Sequence, residues 1–413
     1  MTRQKVPVTR RAFLWDSAVA SLIGSSATAL SASISKPGWS LGERHYRIGV
    51  IGSTGRGDYG HALDTAWNAF ANCEIVALAD DNENGRAAAE KRLGLKKSFS
   101  DYREMLDETK PDIACICPRW VDQHYKMALA AAERGIHIYM EKPFVPTLDQ
   151  ADEVVAACEA NGVQFALALW THYSPKLSRV KQLIADGAIG RVLEYRCRGK
   201  EDHRGGAEDL WVLGIHVLDM IRFLGGHPRW CFAHMSQNGE PVSKRHVFQG
   251  NEGLGPLAGN VVYATWGMPD SSVAYFGSHR NAGSDPSRYA LQILGTKGII
   301  EIQEGTLPPV KYLADPSWCP GRSGAQWQNV SSAGIAIPEP LSGPEYEARH
   351  TLAIRDLLDA IENAREPLCN VHESRAVTEM IISVFESHRQ RKPVSLPLET
   401  RVHPFTLPFS AYP

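Results

Sequence analysis

The stretch whose reading decides the fold is Arg47-Ile-Gly-Val-Ile-Gly-Ser-Thr-Gly-Arg-Gly-Asp-Tyr-Gly60, or RIGVIGSTGRGDYG. It holds two overlapping glycine patterns. Gly55-Arg-Gly57-Asp-Tyr-Gly60 matches G-x-G-x-x-G letter for letter, and Gly52-Ser-Thr54-Gly-Arg-Gly57 matches it with Thr54 in place of the middle glycine. A dinucleotide-binding loop begins where its strand ends, because the first glycine makes the tight turn into the helix. The apolar run Tyr46–Ile51 ends at Ile51, so Gly52 is the turning glycine and the literal match begins too late. Gly55 restores the room that a middle glycine leaves for a pyrophosphate. Gly57 allows helix and strand to pack closely, and the phosphates are expected at the N-terminus of the helix that follows. Asp80 closes the second apolar run. An acid there bonds both ribose hydroxyls and repels a 2′-phosphate, which favours NAD over NADP. Asp81 next door is the alternative.

Outward from this loop, short apolar runs alternate with helical patterns. Strands are expected at Tyr46–Ile51, Glu74–Ala79, Asp112–Cys117, Ile136–Met140 and Val163–Ala168. Helices are expected at Ala62–Asn72, Gly85–Leu93, Lys126–Arg134 and Leu148–Asn161. That alternation argues a parallel, doubly wound α/β sheet. After about Trp170 the pattern changes. A helix at Pro175–Asp186, an open-faced strand at Val192–Arg198 and a helix at Asp209–Leu224 are followed by extended runs at 261–266, 273–278, 289–294 and 299–302. These suggest a large, open, mixed sheet. Residues 305–345, rich in Pro, Gly and Ser, read as long surface loops. Helices are expected again at Glu345–Asn363 and Glu373–Arg391, and the proline-rich tail is expected to wrap the surface. The expected divisions are 1–33, 45–170, 171–395 and a tail at 396–413.

The chain has 413 residues, 43% of them hydrophobic, and a formal net charge of −2. That suffices for a large core, and it gives no electrostatic footprint for nucleic acid. The eight cysteines are scattered without C-x-x-C or zinc spacing, so buried free thiols and no metal centre are expected. Cys115 and Cys117 would face the same side of a strand. The N-terminus carries Thr9-Arg-Arg-Ala-Phe-Leu14, an apolar run from Ala18 to Leu30, and small-residue cleavage candidates at Ala27–Ala29 and Ser31–Ser33. Arg-Arg, Phe-Leu, apolar run and small-residue site in this order form a twin-arginine export signal. The run is too short and too weakly apolar to span a membrane. The expectation is a periplasmic or otherwise exported protein with no membrane anchor once the signal is removed.

Glu141-Lys-Pro143 follows the fourth strand, at the sheet edge where ligands of such folds bind. A lysine there can polarise a hydroxyl or carbonyl while a nicotinamide exchanges hydride. Alone, the tripeptide is an ordinary solvated turn. With VALAD (76–80), CICPRWVDQHYKMALAAAERGIHIYMEKP (115–143), DGAIGRV (186–192), LGIHVLDMIRFLGG (213–226), LGTKGIIEI (294–302) and RKPVSLP (391–397), it resembles the Gfo/Idh/MocA oxidoreductases over roughly residues 46 to 395. The resemblance implies an N-terminal Rossmann domain and a C-terminal α/β domain whose open sheet serves substrate binding and a homodimer or homotetramer contact. It implies oxidation of a sugar or polyol hydroxyl, or reduction of the matching carbonyl. Lys142 would be the catalytic lysine and His216 the proton relay, with both and Tyr173 facing substrate. The cofactor-binding set would be Gly52, Thr54, Gly55, Arg56, Gly57, Asp80, Pro118, His124 and Glu141. Trp120 and His172 are further pocket candidates, and Asp219 is expected to be structural. One departure stands out. Family members with a full Lys/Asp/His set carry an aspartate four residues before the histidine, where this chain has Val212. Glu208, Asp209 or the loop Lys200-Glu-Asp-His-Arg204 are the candidate substitutes.

Export adds a constraint. Free NAD is scarce outside the cytoplasm, so the cofactor is expected to be loaded before export and kept, as the resemblance to glucose-fructose oxidoreductases implies. A kept cofactor must be reset in each cycle. Either one sugar is oxidised and a second carbonyl compound reduced, or a glycoside is cleaved without net redox through a transient keto-sugar. The third alternative is a binding protein that has lost its chemistry.

Overall fold

The computed structural model describes residues 44–410. The twin-arginine motif, its apolar run and the cleavage candidates lie outside the described residues. Six parallel strands form the first sheet: β1 (Tyr46–Ile51), β2 (Cys73–Ala79), β3 (Ser98–Phe99), β4 (Ile113–Ile116), β5 (His137–Met140) and β6 (Phe165–Leu167). Their order is β3-β2-β1-β4-β5-β6. The chain changes direction between β1 and β4, and a crevice opens beyond the carboxyl ends at that point. β1 and β4 are buried along nearly their whole length, as a sheet covered by helices on both faces requires. Cys115 and Cys117 are buried with their sulfurs 3.5 Å apart, and all eight cysteines are free.

The second sheet has ten strands and is mixed. Across it run Gln328–Asn329, Val310–Leu313, Ile299–Ile302, Leu291–Gly295, Val192–Arg198, Val273–His279, Val261–Gly267, Trp230–Gln237 and Val394–Ser395, with Glu240–Pro241 beside Trp230–Gln237. One face is covered by the helices Gly214–Gly225 and Val371–Gln390. The opposite face leaves Trp230, Phe232, Tyr263 and Tyr275 exposed. Trp230–Gln237 carries little polar alternation for that reason, so its sequence shows no clear period of two. The 305–345 segment is likewise more regular than expected, since it adds Val310–Leu313 and Gln328–Asn329 to the sheet edge. The C-terminal tail does more than wrap the surface. The Arg401 carbonyl accepts from the N–H groups of Leu148 and Asp149 at 2.9 and 3.2 Å, and Phe405 is fully buried.

Two differences from expectation position the site. The helix after the glycine loop is only Leu63–Ala66, continued by one 3-10 turn at Trp67–Ala69. Residues 53–58 fold on themselves instead, with Ser53 and Asp58 exchanging backbone hydrogen bonds at 3.1 and 3.0 Å. Asp58 and Gly57 both take positive φ to close this loop. No long helix therefore begins at Gly57 to receive the phosphates. The second difference is that the expected helix Asp209–Leu224 is two helices, Ala207–Val212 and Gly214–Gly225, broken at Leu213. The break takes the Val212 carbonyl out of the helical ladder, where it accepts from a side chain instead. Gly214 follows it under the Phe276 ring, which an added Cβ would approach to 3.0 Å.

Candidate active site

A cavity of about 220 Å³ opens at the carboxyl ends of β1, β2 and β4, lined among others by Gly52, Ser53, Asp80, Asp81, Tyr102 and Gln123. Ser53 Oγ and Gln123 Oε1 are buried there without a hydrogen-bond partner. Unsatisfied polar atoms at a switch-point cavity fit the ribose and adenine end of a dinucleotide. Gly57 lies so close to the turn after β4 that a Cβ would come 2.3 Å from the Arg119 amide nitrogen. Gly55, at φ +85, faces open space, the room expected beside Thr54. Arg56 pairs with Asp122 and lies over the Trp120 ring at 4.9 Å, tying the loop to the same turn.

Asp80 is buried, and its carboxylate receives the Thr54 amide at 3.2 Å, the Thr54 hydroxyl at 2.7 Å, the Tyr59 hydroxyl at 2.9 Å and the Asn82 amide at 3.0 Å. The carboxylate thus holds the glycine loop onto the end of β2. Asp81 is the exposed acid on the cavity wall. His124 is fully buried, with Nδ1 2.6 Å from the Pro143 carbonyl and Nε2 2.6 Å from the Pro118 carbonyl. Its side chain, and the Pro118 oxygen with it, staple the turn after β4 to the turn that carries Lys142.

Lys142 follows β5 and is buried, and its Nζ donates to the Val212 carbonyl at 2.8 Å. The broken helix supplies that acceptor, so at the position of the missing aspartate the backbone itself holds the ammonium. A hydrogen bond to a charged group contributes about 1.5–3 kcal/mol. Burial pulls the Lys142 pKa below the ordinary lysine range, against the charges of Glu141 and Glu252, which raise it. Glu141 accepts from His61 Nδ1 at 2.9 Å, from the His61 amide at 3.3 Å and from the Lys142 amide at 3.1 Å. Burial alone would raise its pKa; His61, Lys142 and His350 hold it at about 2. The Glu141 side chain therefore braces the lysine turn from beneath.

His216 is buried with its ring centroid 4.9 Å from that of Trp170, and its Nδ1 has no partner. Burial and the Lys142 charge push its pKa well below the ordinary histidine value, so the ring is neutral. Lys142 and His216 thus come together, one anchored and one with a free nitrogen. His61 and His350 edge the same Trp170 ring, and the Arg349 guanidinium lies over it at 5.1 Å.

Other sequence candidates point elsewhere. The Tyr173 hydroxyl donates to the Leu167 carbonyl at 3.1 Å at the end of β6. His172 bonds Asp219 at 2.8 Å, both fully buried, and with Cys369 they bring three ligand-type atoms within 4.8 Å. Asp209 accepts from the Lys200 and Glu201 amides at 3.2 and 3.0 Å and from the Ser278 hydroxyl at 2.5 Å. Glu208 accepts from Asn251 at 3.2 Å, and Glu201 pairs with Arg198 and Arg288. His203 is exposed. The carboxyl that the sequence did not mark is Glu304, in the turn after Ile299–Ile302. Its Oε1 is buried without a partner. Burial raises its pKa, against Arg349, Lys142, Lys200 and His61, which lower it. No pattern in one sequence joins a turn at 304 to a lysine at 142.

Two family models match the chain. The oxidoreductase family with NAD-binding Rossmann fold covers residues 46–169, and the GFO/IDH/MocA C-terminal domain covers residues 177–301. The structure is thus that of an NAD-binding oxidoreductase acting on CH–OH groups, built from a Rossmann sheet and a large mixed sheet. The chain belongs to the Gfo/Idh/MocA oxidoreductase family. It is 27% identical to levoglucosan dehydrogenase of Pseudarthrobacter phenanthrenivorans over 62% of this chain and 73% of that protein. It is 31% identical to D-apiose dehydrogenase of Paraburkholderia graminis over 39% of this chain and 45% of that protein. The structure of levoglucosan dehydrogenase in complex with NADH and levoglucosan matches with a TM-score of 0.69 at 23% identity, over 86% of this chain and all of that one.

Proposed function

We propose that this protein is an exported oxidoreductase that holds NAD through its cycle and oxidises a hydroxyl of a sugar or polyol, resetting the cofactor on a second carbonyl compound. The observation that carries the reading is Lys142 Nζ fixed at 2.8 Å on the Val212 carbonyl beside the unpartnered Nδ1 of His216. Burial lowers the Lys142 pKa, which favours loss of its proton compared with an exposed lysine. The deprotonated amine accepts the proton of the substrate hydroxyl, and neutral His216 orients the oxygen. Bound NAD supplies the hydride acceptor. In the return half-cycle Lys142 gives its proton to the carbonyl oxygen of the second substrate. Asp81, on the cavity wall, would hold the adenosine ribose of NAD, and its charge would disfavour a 2′-phosphate. Sugar substrates are suggested by the likeness to levoglucosan dehydrogenase and D-apiose dehydrogenase. Export rests on Arg10-Arg11 and the segment after them. The exposed aromatic face of the large sheet, with Phe232, Tyr263 and Tyr275, supports a homo-oligomer.

The test is to purify the exported protein without added cofactor, denature it, and quantify the nicotinamides released by mass spectrometry. Close to one NAD per chain, with sugar-pair turnover in the absence of added NAD, is expected. An empty protein that fails to bind NAD refutes the reading. Release of an aglycone from a simple glycoside without net redox replaces it with the hydrolytic alternative. Lysine substitution of both Arg10 and Arg11 is expected to retain the protein in the cytoplasm.

A further inference from the structure

We propose that Glu304 is a further catalytic residue: its carboxyl faces the substrate beside Lys142, takes over the proton that Lys142 removes, and passes it to solvent, filling the place in the catalytic set left by Val212. The inference rests on the oxidoreductase reading of the Lys142 site.

The geometry begins at the turn. The Gly305 amide donates to Thr171 Oγ1 at 2.9 Å, so Glu304 is tied to the short turn Trp170–Tyr173. Trp170 is the ring that packs on His216. On the other side, the Tyr289 hydroxyl donates to the Leu213 carbonyl at 2.7 Å, next to the Val212 carbonyl that anchors Lys142. The Glu304 charge is felt at Tyr289, and the charges of Lys142, His61, Arg349 and Lys200 are felt at Glu304. Lys142 is buried, whereas Lys200 and Arg349 are exposed. Glu304 itself is half-buried, with one carboxyl oxygen enclosed and unpartnered. The carboxyl thus has one enclosed oxygen on the Trp170–His216 side of the site while the residue itself is half-exposed. The acids nearer in sequence to the vacant position are engaged: Asp209 by three donors and Glu208 by Asn251. A buried acceptor with no partner is destabilising, and a polar ligand or substrate hydroxyl on Oε1 offsets that.

The step balances. The substrate loses a hydride from carbon to NAD and a proton from oxygen to Lys142 Nζ. Lys142 passes that proton through the substrate pocket's water to the Glu304 carboxylate, and bulk water receives it from there. Burial raises the affinity of this carboxyl for the proton, which favours its taking one from Lys142.

The experiment uses the full chain with its bound cofactor. Single-turnover reduction of NAD by levoglucosan, D-glucose and D-xylose is followed across pH in wild type, Glu304→Gln and Glu304→Ala. A loss on the order of 100-fold in rate for Glu304→Gln is expected, with the carboxyl limb of the pH profile gone and NAD content unchanged. A wild-type rate and profile in both variants overturns the proposal. If no sugar reduces the NAD of wild type, the oxidoreductase reading fails, and a titration of protein labelled with 13C at the glutamate carboxyl decides Glu304 alone. The resonance missing in Glu304→Gln is expected to titrate above the ordinary glutamate range and to move higher in Lys142→Met, where a lowering charge is removed. A resonance titrating as an ordinary surface carboxyl, unmoved by Lys142→Met, overturns it.

Discussion

Replacing Glu141 with Gln tests whether the site is braced as the geometry requires. The Glu141 carboxylate is fully buried and takes hydrogen bonds from His61 Nδ1 and the amides of His61 and Lys142. Its pKa is held at about 2 against an ordinary 4.5. Because the folded-state value is depressed, the stabilisation is fully present above the unfolded value and is lost as pH falls through the folded one. At about 1.4 kcal/mol per unit, the charge contributes on the order of 3 kcal/mol at neutral pH. Gln mimics the protonated acid, so Glu141→Gln removes that contribution and little volume. With an unfolding entropy of about 0.8 kcal/mol/K for a chain of this size, Tm falls by about 4 °C. Thermal unfolding of wild type and variant is compared at pH 7 and pH 3. The difference shrinks to about half at pH 3, since below its ordinary 4.5 the unfolded carboxyl takes up a proton that the folded one still refuses. A difference equal at both pH values refutes the electrostatic account and leaves only packing.

The remaining predictions concern the two ends of the cofactor site, the lysine and the sheet face. Lys142→Met lowers single-turnover hydride transfer by about 10²–10⁴-fold with NAD still bound, and in wild type the oxidation rate rises with pH through the lowered lysine pKa. Asp81→Asn weakens NAD binding about tenfold by calorimetry and leaves Tm unchanged. Asp80→Asn instead lowers Tm, because its carboxylate holds Thr54, Tyr59 and Asn82. Phe232→Glu with Tyr263→Glu, on the exposed face of the large sheet, shifts the protein to monomer by light scattering after gel filtration.

Much of the fold was legible because its signals are local. Runs such as Tyr46–Ile51, and the turn at Gly52, report burial between helices without reference to the rest of the chain. Trp230–Gln237 was not legible, since its exposed face is apolar and the period of two vanishes. At the site, motif register marks Lys142 and His216, and the structure anchors the first on the Val212 carbonyl and packs the second on Trp170. Asp80, His124 and Tyr173 have the residue types of binding groups, yet their polar atoms are taken by Thr54, Pro118, Pro143 and Leu167.

The sequence by itself determined that a dinucleotide loop follows the first strand, that the chain is an α/β oxidoreductase, and that position 212 holds valine. Only the tertiary structure decided what valine means there. The helix breaks at Leu213, the Val212 backbone carbonyl turns to Lys142, and Glu304 arrives from a turn 162 positions further along the chain than the lysine. A backbone acceptor is the same whatever side chain it carries, so no residue letter announces it. A carboxyl brought in by a distant strand leaves no spacing to read.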